Sequence, residues 1–452
     1  MNTKLRLSKI LSALVIISNA DFTVLLTGSW ESSFVKFPYV VSDELTGEIV
    51  NDAIYMRNVM ICEKYGVNIK EVDMTGQDSM GNGTGYKTIS KSVMAGEINY
   101  DAAYIGTYDV CSLARDGYLY NLLLDVPYID VEKPWWDSCT KKDMMINNKI
   151  FFTNGDINIL NNETTFAILF NKKLLQEYSL ESPYALVKGG NWTLDKFIEM
   201  TKATSKDLNG DGEMDENDQY GHLMWQDSIL GVIIGSGEKV ATVINGNIEL
   251  TFYNENTDTV ASKYLEHAKD KMAVYNISTN TKRDAVEMFA NDQGLFHTRY
   301  ITTVSLLRNM ETDFGILPYP KQNESQKDYF TYVHGYGNSF VCVPKTAGNV
   351  EMSGVILEAM AAESMYSVTP AYYDVTLTGK FFRDEESREM LDILFASRTF
   401  DAGLYYRVGG YTDTLLQMLN NLKADFASTY EKSESKAREE IEKINQAFKE
   451  NN

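Results

Sequence analysis

The segment DLNGDGEMDEND, from Asp207 to Asp218, has the residue types and the spacing that hold a hard cation. Calcium loops of the EF-hand type place oxygen ligands at positions 1, 3, 5, 7, 9 and 12, with glycine at position 6 for the sharp turn. With Asp207 as the first position, Gly212 falls at the sixth. The spacing therefore predicts bound Ca²⁺, with these ligands: Asp207, Asn209, Asp211, Glu213 through its backbone carbonyl, Asp215 and Asp218.

Two features separate this loop from a sensor EF-hand. The last ligand is Asp218, whereas sensor loops use the longer Glu for bidentate ligation. The residues that follow, QYGHLMW, are typical of a strand rather than of an exiting helix. We therefore expect a calcium loop on another fold, where the cation braces a turn and takes no part in chemistry. The alternative is a solvated, Asx-rich turn without metal.

The composition narrows the classes of partner. The chain has 452 residues, which favours two domains, and its formal net charge is -21. Nucleic-acid binding requires clustered Lys and Arg, so an acidic chain argues against that partner. The sequence is rich in aromatic residues, with 28 Tyr, 20 Phe and 5 Trp. Tyr and Trp present apolar faces with a polar group, which suits sugar rings, although many of these residues can simply fill cores.

Motifs of common enzyme and metal classes are missing from the sequence. We find no nucleophile elbow, no H-E-x-x-H, no phosphate-binding loop and no dinucleotide fingerprint. The cysteines lack C-x-x-C spacing and the histidines lack metal spacing: Cys62, Cys111, Cys139, Cys342, His222, His267, His297 and His334. This favours a binding protein over an enzyme. A carboxylate pair for glycoside cleavage stays open, because acidic residues are numerous.

The first twenty residues, MNTKLRLSKILSALVIISNA, resemble a secretory signal peptide. Basic residues precede an apolar run from Ile10 to Ile17, and small residues follow before Asp21. The run is too short to span a bilayer, which needs about 20 apolar residues. The alternative is an N-terminal strand or helix of the fold. No cysteine follows the run, so the sequence does not support a lipid anchor.

Strands alternate with helices along the next hundred residues. DFTVLL, VNIKEVDM and YDAAYIG have strand patterns, and DAIYMRNVMICEKYG has a helical one that ends at Gly66. This alternation predicts an α/β fold with a parallel sheet. Ligands bind at the loops beyond the carboxyl ends of such strands, where Trp30 and Tyr108-Asp109 fall.

The second half of the chain predicts a further α/β region. TLDKFIEMTKATSK predicts a helix capped by Thr193, directly before the acidic loop, and TDTVASKYLEHAKDKMAVY predicts one long helix. DAVEMFANDQGLFHTRY predicts a helix and then a strand, and both DFGILPYPK and NSFVCVPKTA predict strands. The last segment, EKSESKAREEIEKINQAFKE, predicts a solvated terminal helix with Glu439 and Lys443 paired.

Three stretches together resemble a known family. They are NWTLDKFIEMTKATSKDLNGDGEMDENDQYGHLMW, GLFHTRYITTVSLLRNMETDFGILPYPKQNESQKDYF and SREMLDILFASRTFDAGLYY. They are similar to the extracellular solute-binding proteins of ABC transporters, in the sugar-binding group common in gut Firmicutes. The segment GEIVNDAIYMRNVMICEKYGVNIKEV fits the same family, and the resemblance covers roughly residues 21 to 430.

The resemblance implies an α/β, two-lobed periplasmic-binding-protein-like fold of type II, with the ligand cleft at the hinge. Lobe one would hold residues 21–158 and 338–372, and lobe two residues 160–337 and 373–452. It also implies a monomer outside the cytoplasm that captures a carbohydrate for ABC permease subunits. Family members in Gram-positive cells are usually lipoproteins with a Cys just after the apolar run, and this sequence departs from them there. The rival interpretation is a secreted, calcium-stabilised carbohydrate-active enzyme.

Sugars bind proteins by stacking on aromatic rings and by hydrogen bonds to carboxylates, amides and Arg. The family places such contacts in strand-end loops and in the crossing strands. We therefore expect the ligand to contact the following residues: Trp30, Asp109, Asn154, Asp156, Trp225, Arg299, Tyr300, Tyr336 and Tyr405. Each of them has a structural alternative, such as core packing for Trp225 or an ion pair for Arg299.

Overall fold

A computed structural model describes residues 20–28, 40–280, 282–378, 385–422 and 425–451. Residues 1–19, which hold nearly all of the expected signal peptide, lie outside the described residues, and so does Trp30. Among the residues that the structure describes, no helix is both long and apolar enough to cross a membrane.

The strands are short and are spread along the whole described chain. Their bounds are β1 Ala20–Gly28, β2 Val67–Thr75, β3 Ala102–Gly106, β4 Phe152–Thr153, β5 Phe166–Asn171, β6 Tyr220–Met224, β7 Ala241–Ile244, β8 Asn247–Leu250, β9 Val274–Asn276, β10 Gly294–Tyr300, β11 Phe314–Leu317, β12 Thr331–Tyr332, β13 Ser339–Cys342 and β14 Arg398–Thr399.

The helices separate the strands throughout. Their bounds are α1 Ile49–Tyr65, α2 Thr84–Ala95, α3 Thr107–Arg115, α4 Ser138–Met144, α5 Leu160–Glu163, α6 Lys172–Glu177, α7 Pro183–Lys188, α8 Leu194–Ala203, α9 Ser228–Gly235, α10 Glu255–Ala268, α11 Ala285–Ala290, α12 Thr303–Leu306, α13 Val350–Tyr366, α14 Val368–Thr378, α15 Glu385–Ala396, α16 Ala402–Tyr405, α17 Tyr411–Asn420 and α18 Phe426–Glu450, with a 3₁₀ turn at Val408–Gly410.

The first sheet has five strands in the order β2-β1-β3-β13-β4. β1 runs parallel to β2 and β3, whereas β13 is antiparallel to both β3 and β4. The parallel sheet expected from the alternating pattern is therefore present, but a strand from late in the chain is inserted into it. The buried faces of β1 and β3 pack against α13, whose residues from Met352 to Ala362 are almost all buried.

The second sheet has five strands in the order β11-β5-β10-β6-β9. β10 is parallel to β6, and β6 to β9, while β5 is antiparallel to its neighbours β10 and β11. Every described residue of β5, β6 and β11 is buried, as expected when helices cover both faces of a sheet.

The chain crosses between the two sheets more than once. It passes from β4 of the first sheet to β5 of the second through residues 154–165. It returns to β13 of the first sheet through residues 333–338, which follow β12, a short strand paired with β14 outside both sheets. Asparagine side chains tie the two crossings together: Asn154 and Asn158 donate to the Ser339 carbonyl at 2.8 and 3.0 Å, and Asn338 donates to Asn161 at 3.2 Å. The bounds of the two lobes in the chain stay a prediction.

Most of the predicted elements are confirmed, with two differences. α1 ends at Tyr65, where Gly66 takes the left-handed conformation at φ 65°, and Thr193 caps α8 through the Lys196 N–H at 3.3 Å. The long helix expected over 257–275 stops at Ala268, because Val274–Asn276 adds a strand beside β6. A helical pattern and a short apolar strand cannot be separated by periodicity alone when they are contiguous.

The C-terminal helix α18 is a structural part of the fold, so the expectation of a solvated helix was wrong. One face is charged and carries the predicted pair of Lys443 and Glu439 at 2.6 Å. The opposite face is buried, with Phe448 packing edge-on against Phe151 at 5.3 Å between ring centroids. Asn445 also exchanges two hydrogen bonds with the backbone of Ile248 in β8.

Candidate functional site

Two predicted site residues become neighbours because of the register of the second sheet. β6 and β10 are parallel, and His297 lies opposite Leu223. Counting two residues along each strand places Arg299 opposite Trp225, at the carboxyl edge where open α/β sheets bind ligands. The structure places the Arg299 guanidinium carbon 3.9 Å from the centre of a Trp225 ring.

This stack changes the role that Trp225 can have. A guanidinium at this distance is held by a cation–π interaction and covers one face of the indole. Trp225 also meets Tyr300 edge-on at 5.3 Å, and His334 edge-on at 5.5 Å. Stacking of a sugar on an open Trp225 face, as the sequence predicted, is therefore restricted on the covered side. The group that a ligand would meet on that side of Trp225 is the Arg299 guanidinium.

An aromatic cluster surrounds this stack. Phe166 pairs with Tyr300 across β5 and β10, and its ring lies 5.5 Å from the ring of His334. Tyr300 stacks on His334 at 5.6 Å with an interplanar angle of 20°. Tyr336 lies 6.1 Å from His334 and is 44% exposed, so it presents an open aromatic surface at the edge of the cluster.

A buried His–Asp pair lies beneath the cluster. His334 Nε2 is 2.7 Å from Asp227 Oδ2, and both side chains are more than nine-tenths buried. The remaining polar atoms of the pair, Asp227 Oδ1 and His334 Nδ1, have no hydrogen-bond partner in the described chain. Buried polar atoms are normally paired, so these two lack the partners that such atoms usually have.

Tyr108 lies in the first turn of α3, directly after β3 of the first sheet, and not in a loop as the sequence predicted for Tyr108 and Asp109. A side chain at Gly335 would meet the Tyr108 hydroxyl at 3.0 Å, so the two segments are in close contact. Arg407 lies 5.3 Å from the Tyr108 ring and donates to the Met80 carbonyl at 3.1 Å. Burial raises the pKa of Tyr108, and nearby Asp227 raises it further. The two halves of the molecule therefore meet beside the crossing segment that carries His334.

The predicted site residues divide into two groups. The structure brings together Trp225, Arg299, Tyr300 and Tyr336. Three others have structural partners elsewhere: Asn154 donates to the Ser339 carbonyl, the Tyr405 hydroxyl donates to the Val333 carbonyl at 2.8 Å, and Asp156 accepts from the Thr369 hydroxyl at 2.7 Å. Burial raises the pKa of Asp156 to about 6. Ligand contact stays a prediction for all of these residues.

Asp109 is engaged with the backbone of a neighbouring turn. Its Oδ1 accepts the N–H groups of Gly81 and Gly83 at 2.8 and 2.9 Å, and its Oδ2 accepts that of Tyr86 at 3.1 Å. Burial raises the pKa of this carboxyl, against the lowering effect of these three donors. The side chain that faces the crossing segment is that of the preceding residue, Tyr108.

Sequence reasoning missed His334 and Asp227. His334 lies two residues before the predicted Tyr336, and Asp227 two residues after Trp225. Both residues lie two positions from a predicted aromatic site residue, and this spacing was the one sequence signal that could have identified them. Their contact joins residues 107 positions apart, so no local pattern could pair them.

The acidic loop between α8 and β6 is organised by hydrogen bonds to its own backbone. The Asp207 carboxylate accepts from Gly210 and Gly212 at 2.6 and 2.9 Å, and Asp211 accepts from Glu213 at 2.8 Å. The fully buried Asp218 accepts from Leu208 at 2.9 Å and from Asp215 at 2.8 Å. Asp218 therefore closes the loop by joining its two ends.

The described loop does not fit a preformed calcium site. Within residues 20–28, 40–280, 282–378, 385–422 and 425–451, no group of three or more His, Cys, Asp or Glu side chains is placed to hold a metal ion. Asp207 and Asp218 use both carboxylate oxygens for backbone donors. Calcium binding by Asp207, Asn209, Asp211, Glu213, Asp215 and Asp218 stays a prediction.

Comparison with known proteins gives likeness in structure but not in sequence. No protein-family model and no curated protein matches the sequence. Among solved structures, the galacto-N-biose-/lacto-N-biose I-binding protein of the ABC transporter from Bifidobacterium longum, in complex with lacto-N-biose, is similar with a TM-score of 0.62 and 11% identity, over 94% of this chain and 97% of that one.

Two further structures show the same likeness. A sugar transporter from Rhizobium etli, in an open conformation, gives a TM-score of 0.61 at 14% identity over 95% of this chain and 99% of that one. An ABC substrate-binding protein from Listeria monocytogenes, in complex with cycloalternan, gives 0.57 at 12% identity over 96% of this chain and 100% of that one. The chain therefore has the two-lobed, type II periplasmic-binding-protein-like fold of the sugar-binding solute-binding proteins of ABC transporters.

Proposed function

We propose that the protein is the extracytoplasmic substrate-binding component of an ABC transporter and that it captures a carbohydrate, with an oligosaccharide as the expected ligand. The fold supports this proposal, because solved proteins of the same fold include complexes with lacto-N-biose and cycloalternan. The protein would act as a monomer and deliver its ligand to permease subunits at the membrane. No covalent chemistry is part of this function.

The observation that carries the proposal is the aromatic cluster at the carboxyl edge of the second sheet. It combines an exposed ring at Tyr336, a guanidinium at Arg299 and the unpartnered atoms of the His334–Asp227 pair. Aromatic rings bind the apolar faces of sugars, and the polar groups bind hydroxyls. Its position beside the crossing segment lets a ligand bias the relative placement of the two halves by a population shift.

Isothermal titration and thermal-shift measurements with a panel of purified oligosaccharides test the proposal. At least one glycan should bind and raise the melting temperature, and none should be cleaved. Tyr336→Ala should weaken that binding by about fivefold or more, because it removes an aromatic contact surface. Tyr366→Ala is the matched control, since Tyr366 is 51% exposed but lies outside the cluster. Turnover of any glycan would favour the rival enzyme interpretation instead.

A further inference from the structure

Arg299 differs from the other partly or fully buried arginines in the described chain. Arg115, Arg283, Arg398 and Arg407 each pair with a carboxylate, and buried Arg57 donates to the Val40 carbonyl and to two side chains. Arg299 is partly buried, and within the described ranges its side chain forms no ion pair and no hydrogen bond. Its recorded contacts are with the rings of Trp225 and Tyr300.

A partly buried arginine side chain without a hydrogen-bond or ion-pair partner is unusual. A guanidinium has five N–H donors in a planar fork and keeps its charge at all ordinary pH values. The chain has 63 Asp and Glu against 42 Lys and Arg, so carboxylates are in excess as partners. Yet the partly buried Arg299 lies over Trp225, with its guanidinium carbon 3.9 Å from the ring centre and no hydrogen bond from its side-chain donors within the described residues.

The setting of Arg299 points to a ligand rather than to a structural partner. It lies at the carboxyl end of β10, opposite Trp225, which directly follows β6. The aromatic cluster, with the exposed ring of Tyr336 at its edge, surrounds this position. The cation–π contact with Trp225 restricts the guanidinium before a ligand binds, which reduces the ordering cost of binding. A fixed planar fork matches the two oxygens of a carboxylate or of a sulfate ester.

We propose that the carbohydrate bound by this protein is acidic, and that Arg299 pairs with its anionic group, a carboxylate or a sulfate ester. This inference rests on the proposed sugar-binding function and names its substrate class. In this arrangement the sugar ring adjoining the anionic group contacts the exposed ring of Tyr336. The long-range field of a chain with net charge -21 opposes anions, so selectivity for an acidic ligand must come from this local contact.

The test uses the full chain and matched pairs of oligosaccharides that differ only in charge. Uronate oligosaccharides are compared with their methyl esters, and sulfated galactose oligosaccharides with their desulfated forms. Binding is measured by isothermal titration. We expect an acidic member to bind at least about tenfold more tightly than its neutral partner. The uronate and sulfate arms identify which anionic group is recognised.

Variants of Arg299 give the second measurement. Arg299→Gln should remove the preference for the acidic member, and Arg299→Lys, which keeps the charge but loses the fork, should restore part of it. Arg308→Gln is the control, because Arg308 is exposed. A melting temperature of each variant shows that it is folded.

The outcomes separate this inference from the proposed function. If neutral sugars bind as well as acidic ones, or if Arg299→Gln weakens both members of a pair equally, the acidic-ligand inference is overturned and sugar binding stands. If no oligosaccharide of either kind binds to the folded protein, both proposals fail.

Discussion

The Nε2 atom of His334 lies 2.7 Å from Oδ2 of Asp227, and this contact joins the second crossing segment to the loop after β6. His334 also donates its backbone N–H to the Thr164 carbonyl of the first crossing at 3.0 Å. A single residue therefore connects both crossings to the carboxyl edge of the second sheet. A ligand that contacts the pair would act directly on the segments that must move if the two halves close.

Asp227→Ala should destabilise the protein by about 2 kcal/mol, because it leaves the buried His334 ring without its partner. Asp227→Asn keeps an acceptor oxygen for His334 and should cost less. The measurement is urea unfolding of each variant. Asp413→Asn serves as the control, since Asp413 pairs with Arg407 but is 48% exposed, and exposed pairs contribute less than about 1 kcal/mol. Equal losses for the Asp227→Ala and Asp413→Asn variants would contradict the assignment.

Glu358 should make stability depend on pH. Its carboxylate accepts the indole N–H groups of Trp135 and Trp136 at 3.1 and 2.8 Å, yet burial raises its pKa to about 7. A carboxyl with a raised pKa in the folded state favours folding below its unfolded pKa of about 4.5, and this contribution is lost as the pH rises towards 7. The loss should be on the order of 3 kcal/mol.

Glu358→Gln removes the titration and keeps a side-chain oxygen as acceptor for one indole. The free energy of unfolding, measured at pH 5 and pH 8, should fall less between these values in the variant than in the parent protein. Comparing the change between two pH values cancels any constant effect of the substitution. Identical pH profiles for the two proteins would show that Glu358 does not titrate as described.

Asp109 offers a direct test of a sequence prediction against a structural role. Asp109→Ala should destabilise the protein by about 3 kcal/mol, because three backbone N–H groups in the 81–86 turn lose their acceptor. Asp78→Asn, an exposed change in the same turn, should have little effect. If Asp109→Asn abolishes sugar binding with an unchanged melting temperature, Asp109 contacts the ligand after all.

The local elements were predictable because each has its own signal. Helix α1 ends at a left-handed Gly66, and α8 begins at a Thr193 cap, and both features are visible in the sequence. Long-range relations had no such signal. The pairing of β13 with β3 joins residues more than 200 positions apart. The many charged residues of α18 suggested a fully solvated helix, although one of its faces, which includes Phe448, is buried.

The candidate site was half predictable for the same reason. Trp225, Arg299 and Tyr336 could be proposed because aromatic residues and Arg at strand ends suit sugars. Their mutual arrangement depends on the β6–β10 register, which composition does not encode. Because of this register, one face of Trp225 is covered by the Arg299 guanidinium and is not an open surface for stacking.

The calcium prediction for the acidic loop can be tested without confusing metal loss with loop damage. If the loop binds Ca²⁺, added Ca²⁺ raises the melting temperature of the parent protein, and a chelator reverses the shift. Asp211→Ala should abolish this shift and leave the metal-free melting temperature nearly unchanged, because Asp211 is exposed and its one backbone contact is local.

Asp218→Ala is the contrasting variant. Asp218 is fully buried and joins Leu208 to Asp215, so its loss should lower the melting temperature with or without Ca²⁺. The pair of variants therefore separates a cation ligand from a structural carboxylate inside one loop. If Ca²⁺ and chelator leave the parent melting temperature unchanged, the loop is an Asx-rich turn, and the backbone hydrogen bonds of Asp207 and Asp218 alone account for its shape.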